Sequence, residues 1–200
     1  MTRHPLRLSY TAIAPVYDLA VDRATRTARR RSIEGLGDLS RQRVLLVGIG
    51  TGLDIPLLPP ADQYIGIDLT HAMLMRAKAR DRGVLLHQGD AMALPYADAC
   101  FDSVILHLIL AVVPQPARAL GEVLRVLKPG GHAAVFDKFL RPDQRAPLRR
   151  LVSPLLGRLA TRTDVVFEEV LAACPGAAVI HDQPALAGGW FRSIFLKKSI

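Results

Sequence analysis

Short apolar runs rich in Val, Ile and Leu recur along the chain, and each is long enough for one buried strand. They occupy residues 44–47, 64–67, 84–87, 103–108 and 132–136. Between them lie segments that are polar or that carry apolar residues at helical spacing. The pattern predicts five parallel strands with helices in the connections.

Two of the connections carry clear helix signals. Residues 72–80 follow Thr70, which is suited to an N-cap, and residues 116–127 end directly before Lys-Pro-Gly-Gly at 128–131. A lysine followed by Pro-Gly-Gly is a strong stop for a helix. Both segments are therefore predicted to be helices that connect strands.

The end of the chain completes the predicted sheet. Residues 177–198 predict two further strands joined by 183–189, which brings the total to seven. Alternating strands and helices predict an α/β protein with a doubly wound, mostly parallel sheet. In such sheets, ligands bind at the carboxyl ends of the strands.

Length and composition fit one domain over residues 1–200. Half of the residues are hydrophobic, and there are no repeats or low-complexity tracts. Cys100 and Cys174 lie far apart without a His cluster, so neither a disulfide nor a metal site is expected. The first ten residues lack a secretion signal, and the longest apolar run, 104–113, is too short to span a bilayer. A cytoplasmic location is expected, and the sequence leaves the oligomeric state open.

The net charge is +8 at pH 7, and most of the positive charge comes from arginine. An excess of positive charge suits an anionic partner, either nucleic acid or a lipid surface that the chain contacts peripherally. A compositional bias of the source genome explains the arginine content equally well. The charge alone does not decide between these interpretations.

The most informative stretch is VLLVGIGTGLD, in which an apolar strand runs into Gly48, Gly50 and Gly52. Glycine permits a tight turn and lets a ligand approach the backbone. Asp68 follows sixteen residues after Gly52, at the end of the second apolar run. A carboxylate there can accept hydrogen bonds from both hydroxyls of a ribose.

A second carboxylate, Asp90, follows the third predicted strand in Gly89-Asp90-Ala91. It is placed to contact the amino group of an adenine, with Leu69 and Met92 flanking the ring. The glycine turn and the two carboxylates together predict a nucleoside site.

Four consecutive segments resemble the motifs of class I S-adenosylmethionine-dependent methyltransferases. They are VGIGTG, GIDLTHAMLMRAKAR, GDAMALPYADACFDSVI and LRVLKPGG, within residues 40–138. The resemblance implies a Rossmann-like fold whose last strand is antiparallel, and S-adenosyl-L-methionine as the cofactor. The cofactor contacts that it implies are Tyr17, Gly48, Gly50, Thr51, Gly52, Asp68, Leu69, Asp90, Ala91, Met92 and His107.

One position departs from that pattern. The family usually has Asp or Glu two residues before the first glycine, and this chain has Leu46. A polar contact near the amino end of the cofactor is therefore absent. A protein that binds the cofactor without turnover is the alternative that this departure raises.

The amino-terminal stretch YTAIAPVYDLA, with Tyr10 and Tyr17, is similar to the leading helix that covers the cofactor in one subgroup. That subgroup includes bacterial phosphatidylethanolamine N-methyltransferases and the methyltransferases of quinone biosynthesis. The resemblance implies that residues 1–40 cover the cofactor. It also implies a small, lipophilic acceptor, either a phospholipid amine or a quinone-like ring.

Residues at the ends of strands four and five are the candidates for chemistry on the acceptor. Methyl transfer from a sulfonium depends mainly on positioning, so few catalytic groups are expected. His107 is either a base that orients the acceptor or a core histidine with satisfied hydrogen bonds. Asp137 and Lys138 either act in the pocket or pair at its rim. His107 and Asp137 are the predicted catalytic residues.

Residues 141–163 carry leucines at helical spacing against several arginines, interrupted by Pro154 and Gly157. Such a segment can be a lid packed on the domain or a helix in a lipid headgroup layer. The proline favours the lid, because it would break or kink a long helix.

Two other enzyme classes are disfavoured. A dinucleotide-binding loop needs its third glycine at position 53, where this chain has Leu53. A nucleic-acid methyltransferase is suggested only by the charge, because there is no aromatic-rich stacking surface and no Asn/Asp-Pro-Pro-Tyr motif after strand four. No nucleic-acid partner is therefore expected.

Overall fold

The computed structural model describes residues 21–80, 82–141 and 164–200. Within these residues, seven strands form one sheet in the order β3-β2-β1-β4-β5-β7-β6. The strands are β1 (Arg43–Val47), β2 (Gln63–Asp68), β3 (Leu85–Gln88), β4 (Phe101–His107), β5 (Leu127–Lys138), β6 (Ala177–Leu186) and β7 (Phe191–Lys198). β1 to β5 are parallel, and β7 is antiparallel to both of its neighbours. The predicted fold class is confirmed.

Four α-helices and two 3-10 helices lie between or beside these strands in the described part of the chain. They are α1 (residues 21–34), α2 (His71–Lys78), α3 (Pro116–Val126), α4 (Phe167–Ala172) and the 3-10 helices Ile55–Leu57 and Ala187–Gly189. The proline at the start of α3 suits a first helical turn, where its missing N–H has no partner to lose. Thr70 is the N-cap of α2 as predicted, although its side chain makes no capping hydrogen bond.

Both faces of the central strands are buried, which is why these strands are apolar at nearly every position. Alternate residues of β1 point to opposite faces. Leu45 and Val47 belong to the core that contains α3 and α4, whereas Val44 and Leu46 belong to the core that contains α1 and α2. Leu46, the position that departs from the methyltransferase pattern, is 2% exposed and is part of this packing.

Two predicted boundaries are wrong. β5 begins at Leu127 instead of residue 132, because Phe101 pairs with Leu127 across an irregularity in the β4–β5 register that admits Pro129. β6 continues to Leu186, which leaves only 187–190 for the turn to β7. β6 is an exposed edge strand, so its residues lack the apolar run on which the prediction relied.

Parallel strands bring their carboxyl ends to one edge of the sheet, and there the predicted site residues meet. The glycine turn follows β1, and the first candidate carboxylate ends β2. None of the described helices is long and apolar enough to cross a bilayer. The predicted lid, 141–163, lies outside the described residues apart from Arg141, as do Tyr10 and Tyr17.

Two glycine-to-alanine substitutions test how tightly the backbone is packed at Gly131. A Cβ at Gly131 would lie 2.8 Å from the backbone oxygen of Asp102, whereas a Cβ at Gly121, inside α3, meets nothing within 4 Å. We expect Gly131→Ala to lower the free energy of unfolding by about 1 to 3 kcal/mol. Gly121→Ala should raise it by about 0.5 to 1 kcal/mol. Urea unfolding of both variants measures the difference, and equal effects of one sign would contradict the packing.

Candidate functional site

The turn after β1 is built from three glycines that have different surroundings. Gly48, Gly50 and Gly52 all have positive φ angles, of 67°, 56° and 77°. A Cβ at Gly48 would lie 2.5 Å from Ile109, and one at Gly52 would lie 2.7 Å from Ile55. A Cβ at Gly50 would approach nothing closer than 3.9 Å. Gly50 therefore presents bare backbone to open space, as a ligand cradle requires.

Asp68 links this turn to the end of β2. Its Oδ2 accepts a hydrogen bond from the Gly50 N–H at 2.9 Å, and its Oδ1 accepts one from the Thr70 N–H at 2.9 Å. Burial raises the pKa of the Asp68 carboxyl, and these two hydrogen bonds act against that rise. Each oxygen keeps a second lone pair, so the carboxylate can still accept two ribose hydroxyls.

Asp90 lies beside the same opening. Its Oδ1 accepts a hydrogen bond from the Met92 N–H at 2.8 Å, and the N–H of Gly89 donates to the backbone oxygen of Asp68 at 3.0 Å. The ends of β2 and β3 are thus joined directly. Asp68 and Asp90 line one cavity of about 410 Å³, within the usual range for a small-molecule site.

Ten of the predicted cofactor or catalytic residues line this cavity. They are Gly48, Gly50, Thr51, Asp68, Leu69, Asp90, Ala91, Met92, His107 and Asp137. Gly52 is not among its lining residues, because it faces Ile55 and Ala77 at the back of the turn. The cavity and the open cradle at Gly50 fit an adenosyl cofactor.

The sequence prediction missed an ionic network in the cavity wall. Arg29 of α1 is 2% exposed, and its Nη1 donates to Asp54 Oδ1 at 2.7 Å. Its Nη2 donates to Asp22 at 2.5 Å and its Nε to Thr25 Oγ1 at 3.0 Å. Arg29, Thr25 and Asp54 all line the cavity. The network ties α1 to the segment that follows the glycine turn.

His107 extends this network and has both ring nitrogens engaged. Nδ1 lies 3.0 Å from Asp54 Oδ2, and Nε2 lies 3.1 Å from Ser32 Oγ. Because an ionised carboxylate can only accept, Nδ1 donates to Asp54, and Nε2 shares the other hydrogen bond with the Ser32 hydroxyl. The geometry favours the interpretation of His107 as a core histidine with satisfied hydrogen bonds.

The electrostatics of Asp54 follow from the same contacts. Burial alone would raise the pKa of its carboxyl. The charges and hydrogen bonds of His107 and Arg29 outweigh burial and lower this pKa to about 2. Asp54 is therefore ionised throughout the physiological pH range.

Asp137 and Lys138 end β5 and behave differently from each other. Asp137 is 1% exposed, and its oxygens accept hydrogen bonds from the N–H groups of Ala111 at 2.9 Å and Lys138 at 2.7 Å. Burial raises the pKa of this carboxyl to about 6 against those hydrogen bonds. The Lys138 side chain is half-buried in the cavity wall, with Nζ 6.0 Å from the centroid of the Phe191 ring.

Comparison with known proteins places these features in one family. Residues 45–135 match the family described as methyltransferase domain. A phosphatidylethanolamine N-methyltransferase of Cereibacter sphaeroides is 33% identical over 183 residues, which cover 88% of this chain and 89% of that protein. A demethylmenaquinone methyltransferase of Renibacterium salmoninarum is 38% identical over 130 residues, but that match covers only 55% of its length.

Solved structures with low sequence identity share the fold. An S-adenosylmethionine-dependent methyltransferase from Mesorhizobium loti has a TM-score of 0.67 at 21% identity, over 88% of this chain and 98% of that one. The [4+2]-cyclase SpnF has a TM-score of 0.75 at 18% identity, over 100% and 98%. Since a cyclase shares the architecture, the fold alone does not establish the reaction.

Asp54→Asn tests the ionic network through its pH dependence. The folded-state pKa of about 2 lies below the ordinary 3.8, so the carboxylate stabilises the fold above that ordinary value. The contribution is lost as pH falls through the folded-state pKa. We expect the substitution to lower the free energy of unfolding by about 2 kcal/mol at neutral pH, and by less as pH falls from about 4 toward 2.

Urea unfolding across this pH range measures the effect. Asp98→Asn is the matched control, because Asp98 also pairs with an arginine, Arg125, but is 78% exposed. An exposed pair contributes about 0 to 1 kcal/mol. Equal losses for the two variants, without a pH trend, would contradict the role of Asp54.

Proposed function

The chain belongs to the class I S-adenosylmethionine-dependent methyltransferases, and we propose that it methylates a small, lipophilic acceptor, either a phospholipid amine or a quinone-like ring. The observation that carries the proposal is the shared cavity. The glycine turn, Asp68 and Asp90 form one part of its wall, and apolar residues near the ends of β4 and β7 form another.

The order of the strands indicates which part of the cavity the cofactor would occupy and which part the acceptor would occupy. Asp68 would bind the ribose, and Asp90 with Met92 would flank the adenine, because these residues follow β2 and β3. The glycine turn after β1 would face the methionine part. S-adenosylmethionine, when bound, supplies a methyl group activated by a sulfonium. The remaining space, beside β4, β5 and β7, is left for the acceptor.

Asp54 offers a substitute for the carboxylate that is missing at Leu46. Leu46 is buried in the core, whereas Asp54 lines the cavity just beyond the glycine turn. Asp22 and Asp54 share the guanidinium of Arg29, and Asp22 also pairs with Arg26, so these four groups balance in charge. The ionised carboxylate of Asp54 in the cavity wall would accept a hydrogen bond from the amino end of the cofactor.

The acceptor part of the cavity is largely apolar. Its wall includes Leu108, Ile109, Val112, Val113 and Pro114 from the segment after β4. Apolar walls exclude water from a displacement reaction and hold a lipophilic acceptor beside the donor. The named activities of the Cereibacter and Renibacterium relatives support acceptors of this class.

A transfer assay tests the proposed function. Purified protein is incubated with methyl-labelled S-adenosylmethionine and, separately, with phosphatidylethanolamine, a demethylmenaquinol and total RNA. We expect label in one of the two lipophilic acceptors and none in RNA. Label in RNA alone would contradict the proposal. Binding of S-adenosylhomocysteine without transfer to any acceptor would indicate the silent binding protein instead.

Asp68→Ala tests the ribose contact. Loss of its charge-assisted hydrogen bonds should weaken the binding of S-adenosylhomocysteine by roughly 2 to 4 kcal/mol. Asp68→Asn, which keeps an acceptor oxygen for the Gly50 N–H, should weaken binding as well. Titration calorimetry measures both variants. Asp62→Ala, an exposed aspartate before the opposite end of β2, is the control. Unchanged affinity in both Asp68 variants would contradict the assignment.

A further inference from the structure

The charged groups of the cavity wall differ in how completely the protein satisfies them. The guanidinium of Arg29 is shared by two carboxylates. Three carboxylates accept hydrogen bonds from backbone N–H groups. They are Asp68, Asp90 and Asp137. The ammonium group of Lys138 is the exception among these groups.

Lys138 has its charge in the cavity but no close counter-charge. Among residues 21–80, 82–141 and 164–200, no carboxylate lies within ion-pair distance of its Nζ. The neighbouring Asp137 is turned toward the N–H groups of Ala111 and of Lys138 itself, and acts on the ammonium only at longer range. Burial lowers the pKa of Lys138, and Asp137 partly opposes this. A half-buried cation in this position gains from an anion that enters the cavity.

The surroundings of Lys138 are aromatic and apolar. Lys138 is paired with Phe191 across β5 and β7, and its Nζ lies over that ring. On the other side is the segment after β4, where Leu108 has a positive φ of 58° and its N–H donates to the Phe136 oxygen at 2.8 Å. The bond from Ala111 to Asp137 holds the same segment against β5. The apolar wall and the cation are therefore held at a fixed spacing.

The order of the strands places Lys138 and Phe191 in the part of the cavity that the cofactor would leave for the acceptor. Asp68 and Asp90 follow β2 and β3 on one side of β1, whereas Lys138 and Phe191 belong to β5 and β7 on the other side. A cofactor that uses the two carboxylates leaves Lys138 facing the acceptor. An amphiphile would place its apolar part along the wall and an anionic group at the ammonium.

We propose that Lys138 is an acceptor-binding residue that selects acceptors carrying an anionic oxygen beside an apolar tail. The oxygen is either that of a phosphodiester or that of a quinol ring whose hydroxyl has lost its proton. This inference rests on the proposed function and narrows it, because it excludes uncharged amphiphiles and simple long-chain amines as preferred acceptors.

Binding and transfer measurements on Lys138→Gln test the inference. The probes are dihexanoylphosphatidylethanolamine, a short-chain demethylmenaquinol, and decylamine, which has an amine and an apolar chain but no anionic oxygen. Calorimetry with the chain saturated by S-adenosylhomocysteine measures affinity, and labelled transfer gives KM and kcat. For the anionic probe that the unsubstituted chain binds, KM should rise about 10- to 100-fold with little change in kcat, as expected for one lost charge-assisted hydrogen bond.

Two further variants separate charge from packing. Lys138→Arg keeps the positive charge and should retain most of the affinity for the same probe. Lys197→Gln removes an exposed lysine near the opposite end of β7 and should leave every parameter unchanged. The binding of S-adenosylhomocysteine should be the same in all three variants.

The results for the two anionic probes identify the oxygen that Lys138 binds. Loss of phosphatidylethanolamine binding in Lys138→Gln identifies the phosphodiester as the anionic group, and loss of quinol binding identifies the ring oxygen. Equal losses for decylamine, a fall in kcat alone, or tight decylamine binding with no binding of either anionic probe would overturn the inference. Failure of the unsubstituted chain to bind S-adenosylhomocysteine would contradict the proposed function, whereas retained cofactor binding with acceptor affinity independent of Lys138 overturns only the role of this lysine.

Discussion

The carboxylate of Asp68 holds two turns at once, and the arrangement of the site depends on that constraint. One oxygen takes the N–H of Gly50 and the other takes the N–H of Thr70. These bonds bring the ends of β1 and β2 together and leave Gly50 facing open space. Burial raises the pKa of the carboxyl, and the two N–H donors favour its charged form. The same group thus joins two turns and keeps lone pairs that are open to the cavity.

A second constraint comes from the network of Arg29, Asp54 and His107. It fastens α1 to the segment beyond the glycine turn and to the end of β4, so the cavity has a fixed ionic wall. Asp54 and Ser32 engage both nitrogens of His107, which favours a supporting role for the histidine in this wall. Catalysis then relies on positioning and exclusion of water, which suits transfer from an already activated donor. Lys138 remains as the charged group directed at the acceptor.

Local patterns were sufficient to predict the parts of the structure that neighbouring residues determine. Apolar runs predicted the five parallel strands, and the spacing of Gly48, Asp68 and Asp90 predicted residues that line one cavity. The ionic network was missed, because its partners lie 25 and 53 positions apart and only the fold brings them together. The bonds of Asp137 to backbone N–H groups were missed for the same reason, since no side-chain pattern records a backbone donor on a distant segment.

The central claim is that the glycine turn, Asp68 and Asp90 bind one adenosyl ligand. An experimental structure of the chain with S-adenosylhomocysteine tests it most directly. The account predicts the ribose hydroxyls on Asp68, the adenine between Leu69 and Met92 beside Asp90, and the sulfur directed toward the end of the cavity that contains Lys138. A ligand seated elsewhere, or one that leaves Asp68 or Asp90 without contact, would contradict the account.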